Sequence, residues 1–427
     1  MKKFFLLVNF SFLLVFFIAA QDENFYYENA NYNEDIKTVL MFREGFELSN
    51  PVLELGEEIS LVFKFDDLSG EIKDYYYTII HCDANWNESF LLQADYLEGF
   101  PDNPLDDFEM SFNTTFSFVN YRLFLPNENI QFKLSGNYAL VVFEDNDKEK
   151  IVLTKRFYIT ESLVDIEGTV RRATLDAFKG ENQEVDFTIY HENLMINNPQ
   201  EELKVVVVQN NRWDNSKRGL KPLFIRENAL VYDYNRENVF VAGNEFRYFD
   251  NRTNRMNGEN VLTTDFHRPY FHKTLMTDEV RANKKFFSYE EMNGKYAIES
   301  QDRVEDYDLE CDYTFVHFSL PLESILLGGS VNVFGALTNW NANKSNEMNW
   351  NFDTSQYELT MLLKQGYYNF QYVYVPRAEL VADHKNIEGS FWETENDYQI
   401  FVYFKDLAGR YDRLVGYRQL NSVTNRF

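Results

Sequence analysis

Apolar and polar residues alternate along much of this chain with the two-residue period of β-strands. The alternation is clear in residues 59–66 and 184–190, and strand-like runs return at 75–82, 203–211 and 313–320. Each run is short and is followed by polar or glycine-containing residues, as half-buried strands are. The pattern therefore predicts an all-β fold.

Two copies of a glycine–tyrosine turn indicate how the strands are grouped. Residues 134–143 read Leu-Ser-Gly-Asn-Tyr and then a strand, and residues 364–375 repeat this order with Lys-Gln-Gly-Tyr-Tyr. Gly136 permits the positive φ of a tight corner. Tyr138 follows two residues later, which is the layout of a tyrosine corner at the edge of a β-sandwich. Two corners so far apart predict at least two sandwiches, although a coincidental hairpin motif is the alternative for either copy.

The first twenty residues predict a cleavable signal peptide. Lys2 and Lys3 precede an apolar run from Phe4 to Ile18, and small residues stand before Gln21. The run is short for a membrane span, so a membrane anchor is the weaker alternative. Glutamine in place of cysteine after the cleavage point argues against a lipoprotein. We expect an exported protein that does not itself span a membrane.

The strand runs behind this leader fall into three units. Residues 1–20 form the signal peptide, 21–161 an N-terminal β-sandwich, 162–300 a middle β-sandwich with a long polar connection, and 301–427 a C-terminal early-set β-sandwich. The strand at 245–250 is expected in the middle unit. The strand at 398–404 is expected to complete the C-terminal unit. The fold class predicted is tandem immunoglobulin-like or early-set β-sandwiches.

Composition and charge narrow the possible functions. The chain has 40 Phe and 28 Tyr but 9 Pro, which favours ordered strands over a disordered polar chain. Its net charge of −27 repels phosphate backbones and argues against a nucleic-acid partner. The acidity suits a basic protein partner or divalent cations, although a solvated surface explains it as well. Cys82 and Cys311 are expected to be buried free thiols, with a disulfide as the alternative.

Sequence motifs of catalysis are missing. The chain has no Gly-x-Ser-x-Gly elbow, no P-loop and no His-Glu-x-x-His. His81 and Cys82 are adjacent on a strand and point to opposite faces, so they cannot share a metal without a bulge. His267 and His272 stand in a polar region and are interpreted as solvated loop histidines rather than a zinc site. We predict a protein that is not an enzyme, with no catalytic, cofactor-binding or metal-binding residues and no cofactor.

Recognition by aromatic side chains is the remaining function that the residues suggest. Trp340, Trp350 and Trp392 could supply a stacking platform for a sugar or an anchor for a protein. Trp86 lies in a polar loop, where an exposed ring would suit protein contact. For the first three rings the alternative is packing into the core or rim of the C-terminal sandwich, and for Trp86 it is a ring folded back on its own domain. These four tryptophans are the candidate contact residues.

Several stretches together resemble one known family. His-Cys-Asp-Ala-Asn-Trp at 81–86, Ser-Gly-Asn-Tyr at 135–138 and Gly-Asn-Glu-Phe-Arg-Tyr-Phe-Asp at 243–250 resemble the plug proteins of the bacterial type IX secretion system of Bacteroidetes. Residues 363–370 and 388–398 are similar to the same family. The resemblance follows the expected order and covers nearly the whole mature chain.

The resemblance implies a non-catalytic periplasmic subunit associated with the outer membrane. Such a protein binds a large outer-membrane translocon β-barrel and closes its periplasmic end when no substrate is passing. The family has no catalytic residues, so none are transferred. Residues 333–340 separately resemble glycogen-binding and related early-set modules, which concerns the fold more than sugar binding. The alternative function is an exported carbohydrate-binding protein that uses aromatic residues of the C-terminal sandwich.

Overall fold

The computed structural model describes residues 27–377, 381–405 and 409–425, and in these ranges the chain is almost entirely β. The signal peptide predicted at residues 1–20 lies outside the described residues. The described strands form three β-sandwiches, each with two main sheets around its own apolar core. The prediction of an all-β chain made of several β-sandwiches is confirmed.

The N-terminal sandwich is built from twelve strands and one short helix. In chain order they are β1 (Ala30–Asn31), β2 (Ile36–Arg43), β3 (Val52–Glu54), β4 (Leu61–Asp67), β5 (Tyr75–Cys82), α1 (Gln93–Tyr96), β6 (Leu97–Gly99), β7 (Asn103–Pro104), β8 (Asp107–Met110), β9 (Val119–Leu125), β10 (Ile130–Phe132), β11 (Gly136–Glu144) and β12 (Ile151–Thr160). One sheet has the order β1-β12-β11-β5-β7, with β3 beside β12, and the other has the order β2-β4-β9-β8. Strands β6 and β10 form a separate pair.

The middle sandwich begins directly after β12. Its first elements are β13 (Asp165–Arg172), β14 (Asn182–Tyr190), α2 (Pro199–Glu202), β15 (Leu203–Gln209), β16 (Arg212–Leu220), β17 (Phe224–Ile225), β18 (Ala229–Tyr232) and β19 (Val239–Val241). One sheet has the order β13-β14-β18-β17, with β19 beside β14. Strands β15 and β16 belong to the second sheet, which is completed from the end of the chain.

The C-terminal sandwich follows, and two further strands come after it. The elements are β20 (Arg247–Asp250), β21 (Val261–His267), β22 (Tyr270–Leu275), β23 (Tyr296–Ile298), α3 (Tyr307–Glu310), β24 (Tyr313–Pro321), β25 (Gly329–Phe334), a 3-10 helix (Ala336–Thr338), β26 (Asn349–Asn351), β27 (Gln356–Lys364), β28 (Gly366–Pro376), α4 (Lys385–Glu388), β29 (Asp397–Phe404) and β30 (Arg413–Asn421). The outer sheet of this sandwich has the order β21-β22-β24-β27-β26, and in the inner sheet β20, β23 and β25 all pair with β28. His267 and His272 therefore lie on paired strands and not in a loop, which corrects that expectation.

The middle sandwich is discontinuous in sequence, and this corrects two strand assignments. Strand β29 pairs with β15 along its whole length, so residues 398–404 complete the middle sandwich and not the C-terminal one. Strand β20 pairs with β28, so residues 245–250 belong to the C-terminal sandwich. Residues 205–208 are all buried, as expected of a strand that is covered on both faces. The sequence does not reveal that its partner strand, β29, follows the whole C-terminal sandwich.

The C-terminal sandwich is thus inserted into the middle one. The chain crosses between them once between β19 and β20 and again between β28 and β29. A tandem arrangement would have one linker at this point. Two covalent connections restrict hinge motion between the two sandwiches more than one linker does.

Both predicted tyrosine corners are present. Tyr138 Oη donates to the Leu134 carbonyl at 2.7 Å, and Tyr368 Oη donates to the Lys364 carbonyl at 2.7 Å. Gly136 has a φ of 146°, and a Cβ at this position would lie 2.3 Å from Nε2 of the buried His81. Both the backbone conformation and the neighbouring ring therefore require glycine at the first corner.

We predict that Gly136→Ala destabilises the N-terminal sandwich by about 3 kcal/mol, because backbone strain adds to displacement of His81. The matched control is Gly45→Ala, since Gly45 also has a positive φ (79°) but a Cβ there meets nothing within 4 Å. The control should lose only about 1–2 kcal/mol, from backbone strain alone. The measurement is the urea-unfolding midpoint of each full-length variant. Equal shifts for the two variants would contradict the role given to the His81 contact.

Candidate interaction surfaces and the junctions between sandwiches

Trp86 lies between the N-terminal and middle sandwiches and not on the surface. Its side chain is 0% exposed, and Cζ of Arg156 lies 4.3 Å from the ring centroid. Trp213 of β16 packs edge-on against Trp86, with ring centroids 5.5 Å apart. Trp86 is therefore not available to a partner, which corrects the expectation for this residue. The polar residues of its loop gave no sign that a second sandwich covers it.

The same junction is an apolar contact between two sheets. Tyr158 stacks on Phe401 with ring centroids 4.7 Å apart, and Tyr403 Oη donates to Asn137 Oδ1 at 2.8 Å. The buried residues of this junction are Val52, Cys82, Ala84, Trp86, Ala139, Tyr158, Val206, Val208, Phe401, Tyr403 and Leu414. An interface that is apolar and fully buried holds two domains in one orientation.

A buried ion pair joins the N-terminal and C-terminal sandwiches. Asp66 Oδ2 of β4 lies 2.7 Å from Lys364 Nζ of β27, and each side chain is 1% exposed. Tyr313 Oη donates to the same carboxylate oxygen at 2.7 Å, and Asn120 Nδ2 donates to Oδ1 at 2.8 Å. Lys364 Nζ also lies 4.2 Å from the ring centroid of Phe118. Because a buried charge without its partner is costly, this pair favours the docked arrangement over a separated one only when both groups are present.

The middle and C-terminal sandwiches meet along the connection between β28 and β29. Arg212 of β16 donates to the Ala382 carbonyl at 2.7 Å and to His384 Nδ1 at 3.1 Å. Burial and the nearby Arg212 lower the pKa of His384 to about 4, so its imidazole is neutral and accepts from the guanidinium. Asn396 Nδ2 donates to Gln183 Oε1 at 3.0 Å. The connection is therefore fastened to the middle sandwich at both of its ends.

Glu388 fastens the same connection to the C-terminal sandwich. Its side chain is completely buried, and its carboxylate lies 3.0 Å from Arg247 Nε and 2.7 Å from Arg281 Nη2. The backbone N–H of Tyr372 donates to Glu388 Oε1 at 2.8 Å. Burial acts to raise the pKa of Glu388, but the two guanidinium groups hold it at about 2. The carboxylate thus stays charged and paired at neutral pH.

A small, half-open cavity lies where the three sandwiches meet. Its volume is about 120 Å³, and Lys155, Trp213 and Asn339 line it from the N-terminal, middle and C-terminal sandwiches respectively. Lys155 Nζ donates to Asn339 Oδ1 at 3.1 Å, and burial lowers the pKa of Lys155 to about 8. Lys295 Nζ of the C-terminal sandwich donates to the Leu48 carbonyl of the N-terminal sandwich at 2.6 Å. Each sandwich therefore contacts both of the others around one centre.

The other three candidate tryptophans are partly buried and belong to different clusters. Trp340 borders the central cavity, and Trp350 packs edge-on against Tyr357 at 5.0 Å in the outer sheet of the C-terminal sandwich. Trp392 lies beside the middle sandwich, with its ring centroid 5.5 Å from Cζ of Arg172. The structure does not bring these rings onto one platform. Their role as contact residues stays a prediction.

Large apolar side chains are exposed on the N-terminal sandwich, three of them on the segment that leads to its edge strand β7. Phe90, Leu92 and Phe100, all on the segment between β5 and β7, are 101%, 76% and 73% exposed. All four residues of the edge strand β8 are exposed, among them Phe108 and Met110. Exposed apolar groups of this size favour contact with a partner. The sequence analysis missed them because isolated apolar residues in an irregular segment show none of the alternation by which strands and their exposed faces are recognised.

A group of three carboxylates in the described part of the chain has the spacing of a metal site. They are Glu184, Asp186 and Asp233. Arg171 Nη2 lies 2.8 Å, 2.7 Å and 3.0 Å from oxygens of the three. Its guanidinium is shared by all three carboxylates and offsets one of their negative charges, so we interpret the group as an ion-pair cluster.

The two cysteines are buried free thiols, as predicted. Burial raises the pKa of both, that of Cys311 to about 12. Because the thiolate is the reactive form, neither side chain is suited to nucleophilic chemistry.

Comparison with known proteins identifies the family of this chain. Residues 36–161, which cover most of the N-terminal sandwich, match the family described as type 9 secretion system plug protein 1st domain. A hypothetical protein from Parabacteroides merdae ATCC 43184, known from its crystal structure, is 38% identical with a TM-score of 0.90, and the match covers 93% of this chain and 100% of that chain. The chain belongs to the type 9 secretion system plug family. No curated protein matches it.

Membership of the plug family confirms the resemblance found in the sequence. The family is a structural component of a secretion system and not a known family of enzymes, and it implies association with a secretion translocon. Among the residues that the structure describes, no helix has both the length and the apolarity to cross a bilayer.

We predict that Asp66→Asn lowers the free energy of unfolding by about 3–5 kcal/mol, because Lys364 is left buried without its counter-charge. The control is Asp145→Asn, which breaks the Asp145–Lys150 pair at 2.7 Å, where both side chains are about half exposed. This control should change stability by less than about 1 kcal/mol. The measurement is the thermal unfolding midpoint, together with hydrogen exchange in β4 and β27. Similar effects of the two variants would show that the buried pair does not hold the junction.

Proposed function

We propose that this protein is a rigid, non-catalytic plug that closes the periplasmic end of the type IX translocon pore while no substrate is passing. One observation carries the proposal, which is the closed arrangement of three sandwiches around a common centre. An idle secretion pore is a hole in the permeability barrier. A body that fills it must resist bending, and it needs no reactive group. Pairwise junctions between all three sandwiches meet this requirement.

Buried contacts of different chemistry make each junction specific. Trp86 and Arg156 pack between the N-terminal and middle sandwiches, Asp66 pairs with Lys364 between the N-terminal and C-terminal ones, and Arg212 bonds to the connection that leads out of the C-terminal sandwich. Hydrogen-bonded or paired polar groups inside a junction allow few alternative orientations, since any shift leaves them unsatisfied. Steric closure of a pore depends on this fixed shape.

Family membership and the signal-peptide pattern at residues 1–20 support the proposed location. Together they favour an exported protein that resides in the periplasm and associates with the outer membrane. The partner that we propose is the large β-barrel of the translocon. The protein reaches it from the periplasmic side without a membrane span of its own.

The edge formed by Phe90, Leu92 and Phe100 is our candidate contact with the translocon. These side chains lie within the range that matches the family's first domain, and their exposure leaves most of their apolar area to be buried by a partner. Complete burial of one such side chain contributes about 1.5–3 kcal/mol. The three together can therefore determine whether the plug stays bound.

The glycan-binding alternative gains no support from the tryptophan positions. A stacking platform needs aromatic faces that are exposed together along one surface. Trp340, Trp350 and Trp392 are partly buried in three different surroundings. We therefore place pore closure before sugar recognition.

The proposal predicts that the tagged protein, purified from detergent-solubilised outer membranes of its own organism, recovers a very large β-barrel in stoichiometric amount. Changing Phe90, Leu92 and Phe100 together to Ser should lower recovery at least about tenfold, because the apolar contact is lost. The matched control carries three equally exposed apolar residues changed to Ser elsewhere, which are Met195, Leu327 and Phe352.

Two outcomes separate the alternatives. A monomeric protein with no membrane partner, whose tryptophan fluorescence changes when soluble glycans are added, would contradict the plug and favour carbohydrate binding. Normal recovery of the barrel by the first triple variant would retain the plug but would exclude the Phe90 edge as its contact.

A further inference from the structure

Three of the six histidines of this chain lie together on the C-terminal sandwich, on the face of its outer sheet that points away from the core. His267 ends β21, His272 lies on β22 and His317 lies on β24, which are adjacent strands of that sheet. The side chains of His272 and His317 are partly exposed, and that of His267 is exposed. Protons from the solvent therefore reach all three rings.

Two of these rings are joined by a hydrogen bond between imidazole nitrogens. His272 Nδ1 and His317 Nε2 are 3.0 Å apart, and the ring planes differ by 9° with centroids 5.2 Å apart. An N–H···N hydrogen bond needs one nitrogen that carries a proton and one nitrogen with a free lone pair. The contact therefore has room for a single proton between the two nitrogens.

Thr360 completes the hydrogen bonding of the pair. His317 Nδ1 and Thr360 Oγ1 are 2.8 Å apart, and a hydroxyl can donate or accept. When the hydroxyl accepts from Nδ1, the free lone pair is on His317 Nε2 and the proton between the rings belongs to His272. When the hydroxyl donates to Nδ1, these roles are reversed. Both arrangements need at least one neutral ring.

Acid breaks the contact when both rings become charged. Each of the facing nitrogens then carries a hydrogen, and the two N–H groups point at each other across 3.0 Å. The two positive charges also repel each other. A single cation in the pair is tolerated, because a charged donor still bonds to a neutral acceptor. The open arrangement thus binds one proton more than the closed one.

The charged groups around the pair act in opposite directions. The ring centroid of His267 lies 4.8 Å from that of His272, so a proton on His267 adds a further positive charge. Asp265, opposite His272 in the ladder, favours a proton on that ring. Glu358 shares this face of β27, and its carboxylate accepts hydrogen bonds from neighbouring side chains. Burial and the neighbouring imidazoles together lower the pKa of both His272 and His317.

The contact supports a short ladder between β22 and β24. The two strands pair over only three residues, from His272 to Thr274 on β22. Phe116 of the N-terminal sandwich stacks on Tyr270 of β22, with ring centroids 4.0 Å apart, and packs edge-on against Phe315 of β24 at 5.8 Å. Separation of β22 from β24 therefore also weakens a contact between the N-terminal and C-terminal sandwiches.

We propose that the His272–His317 contact is a pH-sensitive switch, which holds β22 against β24 at neutral pH and releases it in acid. The closed arrangement binds fewer protons than the open one, so it is fully stable above the ordinary imidazole pKa of about 6.5. It is lost as the pH falls below this value and through the lowered pKa of the pair. For one additional bound proton, the equilibrium constant for opening rises about tenfold for each pH unit. The switch is independent of pore closure.

The test is hydrogen exchange of the full mature chain, followed by mass spectrometry between about pH 7 and about pH 5 and corrected for the intrinsic exchange rate. We expect the protection of β22 to fall at least about tenfold over this range, while that of β11 in the N-terminal core stays constant. His272→Asn should abolish the fall. Its amide can accept from a protonated His317 Nε2 or donate to a neutral one, so the contact persists in acid.

The control is His191→Asn, because His191 lies outside this group and contacts the Leu194 carbonyl. It should keep the acid response of the wild type, and circular dichroism at neutral pH establishes that each variant is folded. The wild type supplies a second readout, which is the nuclear magnetic resonance titration of its isotope-labelled histidines. We expect His272 and His317 to titrate in two separate steps, the lower of which coincides with the loss of protection. The proposal is overturned if the protection of β22 in the wild type does not depend on pH, or if folded His272→Asn loses it in acid as the wild type does.

Discussion

The closed shape of this protein depends on the buried ion pair between Asp66 and Lys364. The middle sandwich is covalently joined to both of its neighbours, and twice to the C-terminal one, whereas the N-terminal and C-terminal sandwiches share no connection in the chain. Because the N-terminal and C-terminal sandwiches are in contact, each of the three sandwiches touches both of the others, and the arrangement is closed. Both charges are removed from water, so either one alone disfavours docking. The pair is satisfied only when the end of β4 meets the end of β27. The central cavity and the Lys295–Leu48 contact exist because this junction is closed.

Local features of the sequence were sufficient to predict local structure. The strand at 75–82, the corner at Tyr138 and its counterpart at Tyr368 follow from side-chain alternation and corner geometry, which involve residues close in sequence. Pairing of β15 with β29 could not be predicted, because nothing in either strand encodes a partner beyond an inserted sandwich. Trp86, His267 and His272 were misjudged for the same reason. The polar residues next to them in sequence indicated loops. The burial of these side chains and the residues that they contact depend on strands that are distant in sequence.

The structure and the family membership point to one kind of function. Asp66 and Lys364 are paired in their junction, the cysteines are buried thiols, and the one group of three convergent carboxylates among the described residues holds an arginine at its centre. Such an interior stabilises a shape and offers little to a substrate. The surface is different, since large apolar side chains are exposed on the domain that matches the family. We attribute partner binding to these side chains.

Pore conductance tests the central claim most directly. The translocon barrel, purified without this protein and inserted in a planar lipid bilayer, should form a large open channel. Addition of the mature protein to the periplasmic side should reduce the conductance nearly to that of the bare bilayer, and the Asp66→Asn variant should leave a fluctuating residual current because its junction opens. A conductance that stays unchanged while the protein is demonstrably bound to the barrel would contradict the account.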